Sequence, residues 1–589
     1  MISSCFAGNT RGRRITMPSV SLPLNNFSKI FVFGFAVCLA AGCAPAEKPA
    51  ATHAADNPFT EAGERAAATL NADEIIKHVK VLGSDEFEGR GPASRGDRLT
   101  QAYLIEELAT AGYTPAGVNG TWLQPFDIVA IDSVAPGAWT FARADQQQDF
   151  THREEYVAVS GVQADTARLE NAEVVFVGYG IQAPEYDWDD FKGGDLTGKV
   201  LLMLNNDPEW DPELFAGDRR LYYGRWDYKF ESAALQGAAG AIIIHTTASA
   251  GYPWQVVETG WTGEQFELPA AEKPRSQVEA WMTEEAAGKL VAMAGEDLPA
   301  MITAARSRDF EPVPLGVTTS LILNNTITGK ETANVLGILP GSDPELAGEV
   351  VVLTAHHDHL GIGEPDETGD RIYNGAEDNG IGMGIVLAIA NAYASMPVAP
   401  RRSMLMLFVA AEEQGLLGSR FYADNPTFPA GRIAANMNYD GGNIWGRTRD
   451  ITFIGYGKST LDSVVDLVAA RQGRIVKPDQ FPDRGYYYRS DQISFAKIGV
   501  PATYFDEGMD FIGRPADWGR QQIEEYEAVR YHQPSDEYDD SWNLEGAVED
   551  VRLGFWVGLM IANADEMPAW TAGDEFEAAR KAALEARME

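Results

Sequence analysis

Glu349-Val350-Val351-Val352-Leu353-Thr354-Ala355-His356-His357-Asp358-His359 is an apolar, strand-like run that ends in a cluster of imidazoles and a carboxylate. Two more runs of this kind follow at residues 403–410 and 433–439, with helical stretches at 381–394 and 415–423 between them. This alternation predicts an α/β domain, a sheet with helices on its faces, over about residues 326–563. In open α/β sheets ligands bind beyond the carboxyl ends of the strands, so the residues just after each run carry the chemical information. The second run ends in Glu412-Glu413 and the third in Asp440, while Gly375-Ala376-Glu377-Asp378-Asn379 enters the helix after the first. Imidazoles and carboxylates at successive strand ends, with no cysteine among them, are the donor set of a divalent-metal site, and zinc is the ion it favours. The like-charged pair Glu412-Glu413 follows an apolar strand, where burial without a cation is costly.

Outward from this region, 589 residues exceed what one compact domain holds, so at least two hydrophobic cores are expected. Residues 71–149 begin helical and contain a turn-rich acidic loop, Ser84-Asp85-Glu86-Phe87-Glu88-Gly89-Arg90-Gly91. Over residues 150–312 the texture becomes β-rich, with Glu173-Val174-Val175-Phe176-Val177, Val200-Leu201-Leu202-Met203-Leu204 and Ala241-Ile242-Ile243-Ile244 set between Gly and Pro, which reads as a separate module. No glycine-rich phosphate fingerprint follows these strands. Residues 313–565 form the main α/β part, and 566–589 a charged helical tail expected to be solvated.

The formal charge of −39, from 86 acidic against 47 basic residues, repels phosphate backbones and argues against nucleic-acid partners. Arg11, Arg13, Arg14 and Lys29 precede an apolar run at 30–42 that is too short to span a bilayer comfortably, which reads as an export signal. The run closes on Leu39-Ala40-Ala41-Gly42-Cys43 and resembles a bacterial lipoprotein signal, with Cys43 lipidated and a tether over 44–70. Ala40 stands where such signals usually carry Leu, and an ordinary cleaved signal is the other reading. Either implies a periplasmic or membrane-anchored protein of a Gram-negative-type bacterium. The cysteines are Cys5, Cys38 and Cys43, so the domains beyond them form no disulfide and depend on a large core, bound metal or both.

In order along the chain, His356-x-Asp358, residues 375–379, Glu412-Glu413, Asn438-Tyr439-Asp440 and Tyr531-His532-Gln533-Pro534-Ser535-Asp536 resemble the motifs of the M28 zinc peptidases, which include di-zinc aminopeptidases and glutamate carboxypeptidases. The resemblance covers about residues 71–563 and takes in the 84–90 loop, typical of exported bacterial members. The module at 150–312 resembles the protease-associated (PA) domain that many members carry inside the catalytic domain. The resemblance implies a mixed-sheet, zinc-exopeptidase-like α/β domain with helices on both faces. It also implies that Asp378 bridges two Zn²⁺ ions, with His356 and Asp440 completing one site and Glu413 and His532 the other. Two zincs against three carboxylates and one hydroxide close near neutrality, and such a pair activates a shared water. Glu412 matches the family's general base, which takes a proton from that water and passes it to the leaving amine. Asp358 reads as accepting a hydrogen bond from the far nitrogen of His356.

Tyr488-Arg489-Ser490-Asp491-Gln492 resembles a family stretch that often has His at the position of Gln492, which makes Tyr488, Ser490 and Asp491 candidate substrate contacts. A tyrosine of Tyr486-Tyr487-Tyr488 either donates to a developing oxyanion or packs over the cleft. Glu377 stands where many members have Asp. The resemblance implies peptide substrates and, first, an aminopeptidase. Carboxypeptidase polarity, glutaminyl cyclisation at a single zinc, and a binding protein that keeps the fold without catalysis remain the alternatives.

Overall fold

The computed structural model describes residues 57–587, apart from Glu213. The export signal, Cys43 and most of the expected tether lie outside the described residues. Among the described residues, no helix is long and apolar enough to cross a membrane.

The strand Val350–His356 sits at the centre of the α/β part, parallel to Ser403–Val409 on one side and Ile433–Asn438 on the other. Ile433–Asn438 is followed by the parallel strand Ala502–Glu507 and then by the antiparallel strand Asp450–Ile454. On the opposite flank Ser403–Val409 pairs antiparallel with the end of the 27-residue strand Val313–Leu339. The sheet is therefore mixed, as expected. Alternation along the central strand distributes its side chains to two cores. Val351, Leu353 and Ala355 pack with Ile75, Val79, Met383, Val386 and Trp556 in the larger core. Val350 and Val352 pack with Tyr422, Phe495 and Val500 in the smaller one. Helices Ala72–Leu82, Gly382–Ala394 and Glu545–Asn563 thus cover one face, and Leu417–Asp424 and Gln492–Lys497 the other. A strand buried on both faces must be apolar at every position, which is why 350–353 shows no polar alternation.

The β-rich stretch builds a second layer in which Val200–Leu204 runs parallel to both Thr166–Phe176 and Gly240–His245, and Val278–Thr283 lies beside the latter. Val175, Leu201, Met203, Ile243 and Trp281 face one core, and Leu202, Ile242, Ile244 and Met282 face another. This layer is joined to the sheet of the α/β part through continuous backbone. Val313–Leu339 pairs first with Thr166–Phe176, then with Leu123–Val134, and finally with Ser403–Val409.

The C-terminal tail differs from the solvated end expected from its charge. In the helix Glu577–Ala586, Arg580 is buried and donates to the carbonyl of Ile433 at 2.9 Å, so the tail docks at the start of a catalytic strand. A single buried guanidinium saturating edge carbonyls holds a helix whose other charges face water.

Candidate active site

His356, Glu413 and Asp440 leave the sheet at carboxyl ends of strands, while Asp378 comes from the 376–381 turn and His532 from the loop after the helix Trp518–Val529. His356 is the last residue of its strand. Glu412-Glu413 occupies a sharp turn bracketed by Ala411 and Leu416, both with positive φ (55° and 62°), a conformation that non-glycine residues hold only when surrounding contacts enforce it. The Asp358 carboxylate supplies such contacts, accepting the N–H groups of Glu412 (2.9 Å) and Glu413 (3.3 Å). Asp378 lies in a loop entered through Gly375 at φ +54°, where a Cβ would sit 2.1 Å from the carbonyl oxygen of Asp378.

The Asp378 carboxylate lies between two donor groups. Its Oδ1 is 3.2 Å from His356 Nε2, which also lies 3.1 Å from Asp440 Oδ1. Its Oδ2 is 3.4 Å from His532 Nε2, which lies 3.0 Å from Glu413 Oε2. The donor atoms of His356, Asp378 and Asp440 fall within 4.8 Å of one another, as do those of His359, Asp378 and Glu413, and those of His356, Glu412 and Glu413. All five predicted ligands and Glu412 therefore converge. His359, which the sequence reading did not assign, joins them with Nδ1 2.5 Å from Glu413 Oε1.

The electrostatics are those of a crowded anionic cluster. Burial disfavours charge on His532, yet Glu413 and Asp378 outweigh it and raise its pKa to about 10. Burial and the neighbouring Asp378 charge would raise Glu413, but His532 and His359 hold it down to about 2. Burial pushes Glu412 well above the usual carboxylate range, against the pull of His356 and with the help of Asp440 and Glu413. Protonated imidazoles between carboxylates fill the electrostatic role of a cation, and the chemistry and spacing of the donor set fit a pair of divalent ions sharing Asp378.

A ring of buried groups holds this arrangement. Asp536 accepts the N–H groups of Glu377 (3.1 Å) and Asp378 (3.0 Å). Arg90, buried, donates to the carbonyls of Leu82 (2.8 Å), Gly375 (2.8 Å) and His357 (3.1 Å), which fastens the 84–90 loop beneath the ligand loops. Asn379 bridges the loops of Asp378 and Asp440, accepting from Gly441 N and donating to the Tyr439 carbonyl, each at 3.0 Å. None of these roles is visible in sequence. An arginine inside an acidic loop is the one available signal, because an isolated cation among carboxylates often marks the point where such a loop is anchored.

Three sequence expectations change. Asp358 does not use its carboxylate to orient His356. The imidazole Nδ1 is 3.2 Å from the Asp358 carbonyl oxygen and 3.9 Å from its carboxylate, which is engaged by the Glu412-Glu413 turn. Tyr488 does not face the cleft, since its hydroxyl donates to Glu575 Oε1 at 2.7 Å. Residues 486–488 form a 3₁₀ turn, whose successive side chains point about 120° apart, so one tyrosine of the three, Tyr486, lines the cleft. Asp491 is fully buried and lies outside the cleft wall, whereas Ser490 lines the cleft and accepts from Asn438 Nδ2 at 2.7 Å. Gln492 is also buried, its amide occupied by Asn438 and the Tyr487 carbonyl, both at 2.9 Å. Tyr531 also lies beside the cluster, its ring tilted against that of His532 with centroids 4.0 Å apart.

Residues 334–555 match the model of peptidase family M28, and every ligand position and Glu412 fall inside that span. This part of the chain belongs to peptidase family M28. Among curated relatives, the chain is 26% identical over 225 residues to leupeptin-inactivating enzyme 1 of Streptomyces exfoliatus, covering 38% of this chain and 46% of that protein. It is 27% identical over 214 residues to a probable zinc metalloprotease of Leptosphaeria maculans, covering 35% of this chain and 48% of that one. The alignments thus span about half the length of these relatives. Among solved structures, an aminopeptidase from Aneurinibacillus sp. strain AM-1 superposes with a TM-score of 0.51 at 18% identity, covering 86% of this chain and 97% of that one, which shows a shared fold. The shared fold accordingly extends beyond residues 334–555 to most of the described chain.

Proposed function

We propose that the protein is a di-zinc exopeptidase that releases amino acids from the amino end of peptides. The observation that carries this reading is the divided Asp378 carboxylate, with one oxygen toward His356 and the other toward His532. His356 and Asp440 would hold one ion, and Glu413 and His532 the other. Zinc there would supply Lewis acidity toward the scissile carbonyl and the attacking water. The protein's own part begins with Glu412, whose carboxylate takes the proton from the attacking water and delivers it to the departing amine. Its turn, pinned by Asp358, holds that carboxylate at the cluster. Tyr531, its ring tilted against that of His532, presents a hydroxyl at the cleft wall for the oxygen that gains charge.

The polarity rests on the cleft beyond the cluster. Glu377, Asp506, Glu507 and Glu527 line the chamber next to Asp440. Their carboxyl oxygens offer hydrogen-bond acceptors for the α-ammonium group of a substrate. The module at 150–312 serves, in this reading, as a PA-type wall on the other side of the cleft, and the N-terminal segment as an export signal with a lipid anchor at Cys43. Metal analysis of the purified mature protein, together with free amino acid release from a peptide panel with and without chelator, tests the proposal. Two zincs per chain with chelator-sensitive release from the amino end is the expected result. Release from the carboxyl end alone would reverse the polarity, and a single zinc with pyroglutamate formation would favour cyclisation instead.

A further inference from the structure

Two cavities adjoin the metal-ligand cluster, sharing Glu412, Glu413 and Tyr531, and Arg489 is the one basic side chain that lines both. The first is the acidic chamber described above. The second is walled by Trp226, Tyr252 and Trp261 of the β-rich module and floored by Glu412, Glu413 and His532. The two cavities differ in what each has alone: Glu377, Asp506, Glu507 and Glu527 line only the first, and Trp226, Tyr252 and Trp261 only the second, with Arg489 on both.

Arg489 is held but not neutralised. Its guanidinium lies between the rings of Tyr486 (5.0 Å) and Tyr252 (5.2 Å), which fix its plane. Its Nη2 reaches the Tyr531 hydroxyl at 3.4 Å, while Nη1 has no hydrogen-bond partner among the described residues although it is buried. No carboxylate of the described residues lies within ion-pair distance of it. The neighbouring arginines differ: Arg484 pairs with Glu527, and Arg225, also on the second cavity, pairs with Asp227 at 3.3 Å. A planar guanidinium with an unused buried N–H, in a site otherwise rich in acids, is built for a carboxylate that arrives with the ligand.

Resting on the exopeptidase reading, we propose that Arg489 binds the free α-carboxylate of a short substrate, so that the enzyme selects dipeptides and other very short peptides. The α-ammonium group occupies the acidic chamber, the scissile bond lies at the cluster, and the carboxylate meets Arg489 in the aromatic cavity. The helix Trp254–Gly260 forms part of that cavity's wall and limits extension on this side. It is fixed to the catalytic part, because Gln255 Nε2 donates to the Ala528 carbonyl at 2.7 Å.

The test compares kcat/KM of the zinc-loaded full chain for a dipeptide, for the C-terminal amide of the same dipeptide, and for peptides of three to six residues. The expected result is a preference of at least about tenfold for the free acid over the amide, with rates falling as length increases. Arg489→Gln should bring the acid-to-amide ratio close to one, and Arg489→Lys should restore part of it, with zinc content and circular dichroism checked for both. Equal rates for acid and amide in the unaltered protein, or a ratio unmoved by Arg489→Gln, would overturn the carboxylate site and leave amino-terminal release standing. No hydrolysis of any of these peptides would overturn both the site and the reading beneath it.

Discussion

The Asp358 carboxylate accepts the backbone N–H of Glu412 at 2.9 Å, so a residue named with the histidine ligand acts on the turn that carries the base. Asp358→Asn offers one acceptor and places an amide N–H against the turn. Turnover should fall about 10–100-fold with zinc stoichiometry retained, the range typical of groups that orient a metal site from outside. Steady-state kinetics with metal analysis on the same sample checks this, and loss of zinc in step with activity would point instead to His356.

Glu412→Ala removes the proton carrier and no ligand. Metal should stay bound while kcat falls about 10²–10⁴-fold, the usual contribution of a general base. Unchanged turnover would remove Glu412 from the mechanism.

Zinc binding must displace protons, because without metal His532 is held up to about 10 by Glu413 and Asp378. At pH 8 the imidazole is charged, and a ligand imidazole must be neutral. Titration of chelator-stripped protein with zinc at that pH, repeated in buffers of different ionisation enthalpy, should show net release of at least about one proton per chain. No proton release would mean that His532 stays outside the coordination.

The β-rich module carries its own pH dependence. His245 is 4% exposed, lies against Trp254 and Trp281, and is 3.1 Å from the Tyr252 carbonyl, and burial lowers its pKa to about 4. Between about pH 6.5 and 4 the unfolded chain binds the proton that the folded one refuses, so stability is full above this window and is lost as pH falls through it. The shift corresponds to about 3 kcal/mol at most. Denaturant unfolding of His245→Asn across pH 4–7 should show a flatter profile than the unaltered protein.

Legibility in the sequence followed the scale of the interaction. Residues 350–353 declared a doubly buried strand because each position must be apolar, and His356, Glu413 and Asp440 stood out because strand ends are where an α/β sheet exposes chemistry. Motif order added His532 and the roles of Asp378 and Glu412, which position alone could not assign. Orientation within a turn was not legible. Tyr486 and Tyr488 are the same residue type two positions apart, and the 3₁₀ twist alone decides which meets the cleft. Nor was the partner of a buried polar group legible, since Arg90 serves five backbone carbonyls, the farthest 288 residues away in sequence.

Val313–Leu339 belongs to both layers, with its first half hydrogen-bonded to the module and its last to the catalytic sheet. Mechanically the two layers are one lever with no hinge at the seam, and the spacing between Tyr252 and the catalytic strands is set by unbroken backbone. An excised module would leave the catalytic half with a severed strand and a raw edge open to pairing with other chains. Evolution of peptide-length preference in this architecture therefore has to proceed by substitution on the facing walls, because exchanging the whole module cuts the beam that both halves share.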